Sequence, residues 1–325
     1  MVMTRFSTMY GVLFLATAMA LAACNDLGPN KDELELTQEE LEMATVIISN
    51  SLSDEHGGMV SILYDAVSDV QSDQIRYSSA ESSKTGESDI YAANNHPSEQ
   101  HQRGRGGESG YESSYNPETG EHRISFFRNV GGPVVQRTMA AEYVYIYTDA
   151  EGQFLEFPRR SHDLIETIDF KGMREGSTTG PMREHSFARI DTLFLDGLSS
   201  ASALLTLEGN HFSNGEMKIS ASRFAGLTNR SYALTYTMED VQVDKAVVME
   251  SGNLEQGITG FMSYELFMSM TVNGEVRDRE VSGVIELSGD GTALLRFGHL
   301  DRFFRIFLGT GEVEESDNNR PVAGR

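Results

Sequence analysis

From Arg123 onward, apolar and polar residues alternate with a period of two, and this limits the fold more than any other feature of the chain. Tyr143, Tyr145 and Tyr147 alternate with Val144 and Ile146, and Tyr232, Leu234, Tyr236 and Met238 alternate with Ala233, Thr235 and Thr237. Met262, Tyr264, Leu266, Met268, Met270 and Val272 occupy every second position. Successive side chains of an extended chain point to opposite faces, so each run is a strand with two distinct faces. Thirteen runs read this way, at 123–129, 134–148, 153–158, 163–170, 187–195, 202–208, 216–224, 231–238, 241–249, 258–272, 276–287, 292–298 and 302–309. Asn214-Gly215, Asn273-Gly274 and Asp290-Gly291, with Glu151-Gly152 as a weaker fourth, supply the positive φ that tight hairpin turns need. Hairpin linkage makes sequence neighbours spatial neighbours. The expected fold is mainly β: an antiparallel meander forming a curled sheet, a partly open barrel or a sandwich, preceded by two N-terminal amphipathic helices.

The helices are expected within 37–71. Thr37 and Glu40 match a capping box, and Leu41, Ala44, Ile48 and Leu52 follow at helical spacing. After Gly57-Gly58, Met59, Ile62, Leu63, Ala66, Val67 and Val70 line one face of a second helix. Residues 72–122 are rich in Ser, Glu, Gly, Asn, Gln and His, with aliphatic residues almost confined to Ile75 and Ile90. Ordering backbone costs about 1–2 kcal/mol per residue, so this stretch is expected to be a disordered polar insert or linker. Its Gln102–Gly107 run is a weak match to a Gly/Arg RNA-binding tract. The β domain is expected to span 123–311, and the acidic tail 312–325 to fray.

The first 23 residues differ in composition from the rest. Arg5 is their one charged side chain, and Tyr10 to Ala23 is almost wholly apolar, short of the roughly 20 apolar residues that span a bilayer. Residues 1–23 read as a signal peptide. The run ends in Leu21-Ala22-Ala23-Cys24, whose cysteine is the only one in the chain. This pattern resembles the lipobox of bacterial lipoproteins. The resemblance implies cleavage between Ala23 and Cys24, a diacylglyceryl group on the Cys24 thiol, acylation of the new amine, and a tether over 24–36. Buried acyl chains contribute about 0.8 kcal/mol per CH2, so two or three chains anchor firmly. The chain would then be lipid-anchored in the bacterial cell envelope.

Charge narrows the partners. With 26 basic and 49 acidic residues the formal net charge is -23, which repels phosphate backbones and argues against nucleic acid. It also repels anionic headgroups, leaving acyl chains on Cys24 as the contact with the membrane. A transmembrane barrel would need a continuous lipid-compatible band, whereas Arg189, Lys218, Arg223, Glu265, Glu286, Arg296 and Arg305 are spread through the runs. A soluble sheet domain is the expectation.

Catalytic motifs are absent: there is no Gly-x-Ser-x-Gly elbow, His-Glu-x-x-His, phosphate loop or calcium loop. Of eight histidines, His96, His101 and His122 fall in the polar insert, while His162-Asp163 and His299 near Asp301 read as turn residues. Asp191 and Asp196 are an odd number apart and cannot share a strand face. No catalytic, cofactor-binding or metal site is assigned and no cofactor is expected. The adaptable face of Met262, Tyr264, Leu266, Met268 and Met270 is the candidate apolar-ligand surface, with Phe297, Phe303, Phe304 and Phe307 in the last two runs. The leading expectation is a non-enzymatic envelope lipoprotein whose β domain is a binding or structural module, its partner an envelope protein or an apolar ligand. The alternative is a carrier holding a lipid or other apolar guest between sheet and helices, and an anchored hydrolase ranks last.

Overall fold

A computed structural model describes residues 36–54, 58–67, 107–132, 134–181, 183–199, 202–220, 227–272, 275–298, 300 and 302–316. Residues 1–35, with Cys24 and the stretch 1–23 expected to be a signal peptide, lie outside these residues. The chain divides into two compact units, Met1–Leu41 and Glu42–Arg325. The described residues of the first form the start of helix α1 (Gln38–Leu52), closed by a capping box in which Thr37 N–H donates to Glu40 Oε2 at 2.8 Å and Glu40 N–H to Thr37 Oγ1 at 3.3 Å.

The second unit carries twelve described strands, β1 (Gly107–Asn116), β2 (Glu121–Gly131), β3 (Gln136–Thr148), β4 (Thr167–Thr179), β5 (Arg183–Asp196), β6 (Leu204–Ser220), β7 (Leu227–Asp244), β8 (Ile258–Val272), β9 (Glu275–Ser288), β10 (Thr292–Phe297), β11 (Phe303–Phe307) and β12 (Val313–Ser316). All belong to one antiparallel sheet in strict sequence order, and the sheet is not closed. The period-two pattern becomes rows of buried side chains running across the strands. One row is Tyr147, Ile168, Leu195, Leu207 and Val241; another is Met238, Met262, Ile285, Leu295 and Phe304. Side chains of opposite parity, among them Ile190, Phe194, Phe212 and Phe267, are exposed.

Helix α1 and helix α2 (Met59–Val67) cover the buried face. In α1, Ala44, Ile48 and Leu52 are buried and Val46 is exposed, a one-sided stripe. In α2, Met59, Val60, Ser61, Ile62, Leu63, Tyr64, Ala66 and Val67 are all buried. It rests against β4 and a 3₁₀ turn at Leu254–Gln256, and Asp54 N–H ties the end of α1 to the Leu308 carbonyl at 2.9 Å.

Several expectations are corrected. The polar insert expected over 72–122 contains β1 and the first residues of β2. An edge strand needs ladder partners on one side only, and β1 pairs with β2 along its whole length, with Tyr115 packed on His122 at 4.5 Å between ring centroids. Residues 117–120 form the turn between them, and 72–106 lie outside the described residues. In the tail expected to fray over 312–325, Val313–Ser316 pairs with β11. The run 153–158 is not a strand: Phe154 makes one bridge to Thr148, and Pro158, lacking an N–H, opens a 3₁₀ turn. Asn214-Gly215 is not a hairpin, because β6 continues through it, with Gly215 paired to Phe187 and Tyr232 and too close to the Tyr232 ring to accept a Cβ. The run 241–249 stops at Asp244, whose carboxylate accepts from Ala246 N–H at 2.9 Å and Val247 N–H at 3.2 Å and caps helix α3 (Lys245–Ser251). The Asp290-Gly291 hairpin forms between β9 and β10, with Thr292 N–H donating to Asp290 Oδ1 at 3.0 Å.

The β6–β7 register shifts between Leu207 and Gly209, where Glu239 and Asp240 of β7 form a bulge opposite Glu208, and Gly209 on β6 has φ of 154°. A Cβ there would lie 2.0 Å from the Thr192 carbonyl oxygen on β5. Gly209→Ala is therefore expected to lower unfolding free energy by about 2–3 kcal/mol in urea titrations. Gly152→Ala, in a turn with nothing within 4 Å, is expected to cost about 1 kcal/mol from its positive φ alone. Equal effects would contradict the close β5–β6 approach.

Candidate functional site on the covered face

Strand β8 places Met262, Tyr264, Leu266, Met268 and Met270 on the covered face, and none is more than 2% exposed. The Tyr264 hydroxyl donates to the Arg296 carbonyl at 3.3 Å, reaching past Gly283, where a Cβ would meet that oxygen at 2.0 Å. On the neighbouring strand β7 the Tyr236 hydroxyl donates to the Ile48 carbonyl of α1 at 2.7 Å, and the Tyr232 hydroxyl lies by those of Ser51 and Ser213. The candidate ligand surface is thus one strand away from the chain's own helix.

Beside this apolar strip lies a buried polar cluster. Ladder register sets Asp191 of β5 opposite His211 of β6, and His211 opposite Tyr236. His211 Nδ1–H donates to Asp191 Oδ1 at 2.5 Å, and the imidazole stacks on the Tyr236 ring with centroids 5.4 Å apart. Arg189, two residues before Asp191 and therefore on the same face, holds Nε 3.7 Å from Asp191 Oδ2, an ion pair without a hydrogen bond. Arg189, Asp191 and His211 are at most 5% exposed. Arg189 Nε and Nη2 and His211 Nε2 have no hydrogen-bond partner. Opposite Arg189 on β4 stands Arg174, half-buried, whose Nε–H points at Met139 Sδ at 3.2 Å. A guanidinium out of water with idle donors costs several kcal/mol, so this cluster is the most demanding electrostatic feature of the described core.

Three covered tyrosines are held neutral. Burial pushes the Tyr64 phenol well above its ordinary value of 10.0, reinforced by the Glu255 carboxylate it donates to, while Leu254 N–H donates to the same oxygen at 2.9 Å. Burial alone raises Tyr264, and burial followed by the neighbouring Tyr264 and Tyr232 raises Tyr236. Lys245 Nζ donates to the Leu198 carbonyl at 3.2 Å; burial lowers its pKa against the pull of Glu166.

The residues weighed from sequence alone separate. Asp191 is buried and Asp196 exposed, on opposite faces as their spacing requires. His162 pairs with Asp163 at 2.6 Å in an exposed turn, and His122 Nε2 lies 2.9 Å from the Leu155 carbonyl. His96, His101, His299 and Asp301 lie outside the described residues, as does His56. Among the described residues no three His, Cys, Asp or Glu side chains are grouped to hold a metal ion. The Asp191–His211 contact was missed because ending a strand at residue 208 left His211 in a loop. Its signal was parity: Arg189, Asp191, Leu193 and Leu195 share one parity on β5, and Leu205, Leu207, His211 and Ser213 share one on β6. Comparison with protein-family models, curated proteins and solved structures returns no match.

The raised phenols fix a pH dependence. Their folded pKa values exceed the unfolded value of 10.0, so stability is intact below pH 10 and declines above it, as the unfolded chain releases protons that the folded chain keeps. Each is expected to remove about 1.4 kcal/mol per pH unit. Ultraviolet titration should show Tyr64, Tyr236 and Tyr264 ionising only as the fold is lost. Ionisation of all twelve tyrosines in folded protein would contradict their burial.

Proposed function

We propose that the chain is a non-enzymatic lipoprotein of the bacterial cell envelope, anchored by acyl chains on Cys24, whose β domain is a binding or structural module. The observation that carries the module reading is the burial of the described side chains of α2, with α1 bonded to β7 through Tyr236 and Ile48. Helices of the chain itself take the position that a large apolar guest would need. The anchor is supported by the order of charged start, apolar run, small residues and lone cysteine in residues 1–24. Membrane contact then runs through lipid, since a net charge of -23 disfavours anionic headgroups. A second reading, a carrier of an apolar ligand, draws on the Met262–Met270 strip, whose thioethers adapt to irregular shapes.

Cys24→Ser is expected to move the protein from the membrane fraction to the soluble fraction, or to leave the leader uncleaved. Intact mass of the unsubstituted protein should show cleavage before Cys24 with added diacylglycerol. Unchanged partition together with an unmodified start would overturn the anchor. Organic extraction should yield no stoichiometric lipid beyond the anchor; a stoichiometric guest would favour the carrier.

A further inference from the structure

We propose that the exposed face of β9, β10 and β11 carries a binding site for a small zwitterion of the α-amino-acid class. The inference goes beyond the proposed function, since it concerns the face opposite the helices and requires neither the Cys24 anchor nor an enclosed apolar guest. Ladder register sets Glu286 of β9, Leu294 of β10 and Arg305 of β11 side by side, and their parity turns them away from the buried Ile285, Leu295 and Phe304. Together with Ser288, Asp290 and Thr292 at the β9–β10 hairpin, they line a hollow of about 160 Å³ that opens to solvent. A cavity of about 150 Å³ holds benzene, and alanine has as many non-hydrogen atoms as benzene.

The charges around the hollow define the ligand. Arg296 Nη2 donates to Glu286 Oε2 at 2.5 Å, and these two charges cancel. Asp290 and Arg305 remain, one of each sign. Thr292 fixes Asp290 in place, its N–H and hydroxyl donating to Oδ1 at 3.0 and 2.6 Å, which leaves Oδ2 for a ligand. Among the described residues the Arg305 guanidinium has no hydrogen bond or ion pair, although Glu314 stands opposite it on β12. Its paired N–H groups match a carboxylate, and Asp290 Oδ2 matches an ammonium. A ligand bearing both groups answers both charges, whereas a simple anion meets the Asp290 carboxylate and a simple cation meets the Arg305 guanidinium. The net charge of -23 adds to the penalty on a free anion. Leu294, between the charged walls, supplies an apolar floor for the carbon atoms of the ligand. Asp290 and Arg305 are exposed, so their ion pairs are screened and the expected dissociation constant is on the order of 1 mM.

The test is saturation-transfer NMR on the purified full-length protein at constant ionic strength, with L-alanine as the probe and propionate and ethylamine as its two halves. Alanine should give a saturable signal, and each half should bind about ten-fold more weakly, the worth of one hydrogen bond to a charged group. Arg305→Gln should weaken alanine by about the same factor and leave ethylamine no weaker. Asp290→Asn, which keeps Oδ1 as the acceptor for Thr292, should weaken alanine and leave propionate no weaker. Lys171→Gln, on β4 of the same face, should change none of these affinities. No saturable alanine signal, propionate or ethylamine binding as tightly as alanine, or unchanged alanine affinity in Arg305→Gln overturns the proposal. Arg305 and Asp290 are exposed, where substitutions rarely disturb folding. If Arg305→Gln nevertheless does not fold, the ranking of alanine against propionate and ethylamine on the unsubstituted protein decides.

Discussion

An open meander presents one broad apolar face that cannot be left in water, and the way this face is covered governs everything else in the molecule. Sheets that close bury their interior by closure alone, but here β1 and β12 do not pair with each other. Cover comes from α1 and α2. The burial of α2 accounts for its composition, since nearly every position from Met59 to Val67 is apolar or small. The hydrogen bond from Tyr236 to Ile48 follows from the same requirement, because a phenol at the centre of a covered sheet needs an acceptor and the helix backbone supplies one.

Against that apolar background, Arg189, Asp191 and His211 are an expensive choice. Hydrophobic residues of similar volume would serve stability as well or better, since buried ion pairs rarely recover their desolvation cost. Their arrangement is nevertheless ordered: strand register alone brings Asp191 and His211 together, and Arg189 sits one same-face step away. Two donors and an imidazole nitrogen are left over after all internal bonds are made.

Much of the architecture was legible in the alternation itself. The parity of Tyr143 to Tyr147, Tyr232 to Met238 and Met262 to Met270 placed those side chains on the covered face, and Asp290-Gly291 marked a real hairpin. Other local signals were overridden by pairing on both sides: Asn214-Gly215 favours a turn, but β5 and β7 hold it extended. Capping was the opposite failure, since Asp244 turns an apolar run that reads as strand into α3. Strand β1 has almost no hydrophobic signal because an edge strand is held by its ladder. The polar cluster was legible only in part, because each residue's face follows from its own strand, while the contact between strands depends on a register that sequence does not display.

The covering of the sheet by α2 is tested most directly by hydrogen exchange. If α2 is buried as described, the amides of Ile62 to Val67 exchange as slowly as those of Tyr236 and Leu266 in the central strands, all opening with the same free energy as global unfolding. Rapid exchange in α2 while the central strands stay protected would show that the helix is not the cover, and would return the inner face of the sheet to an external partner.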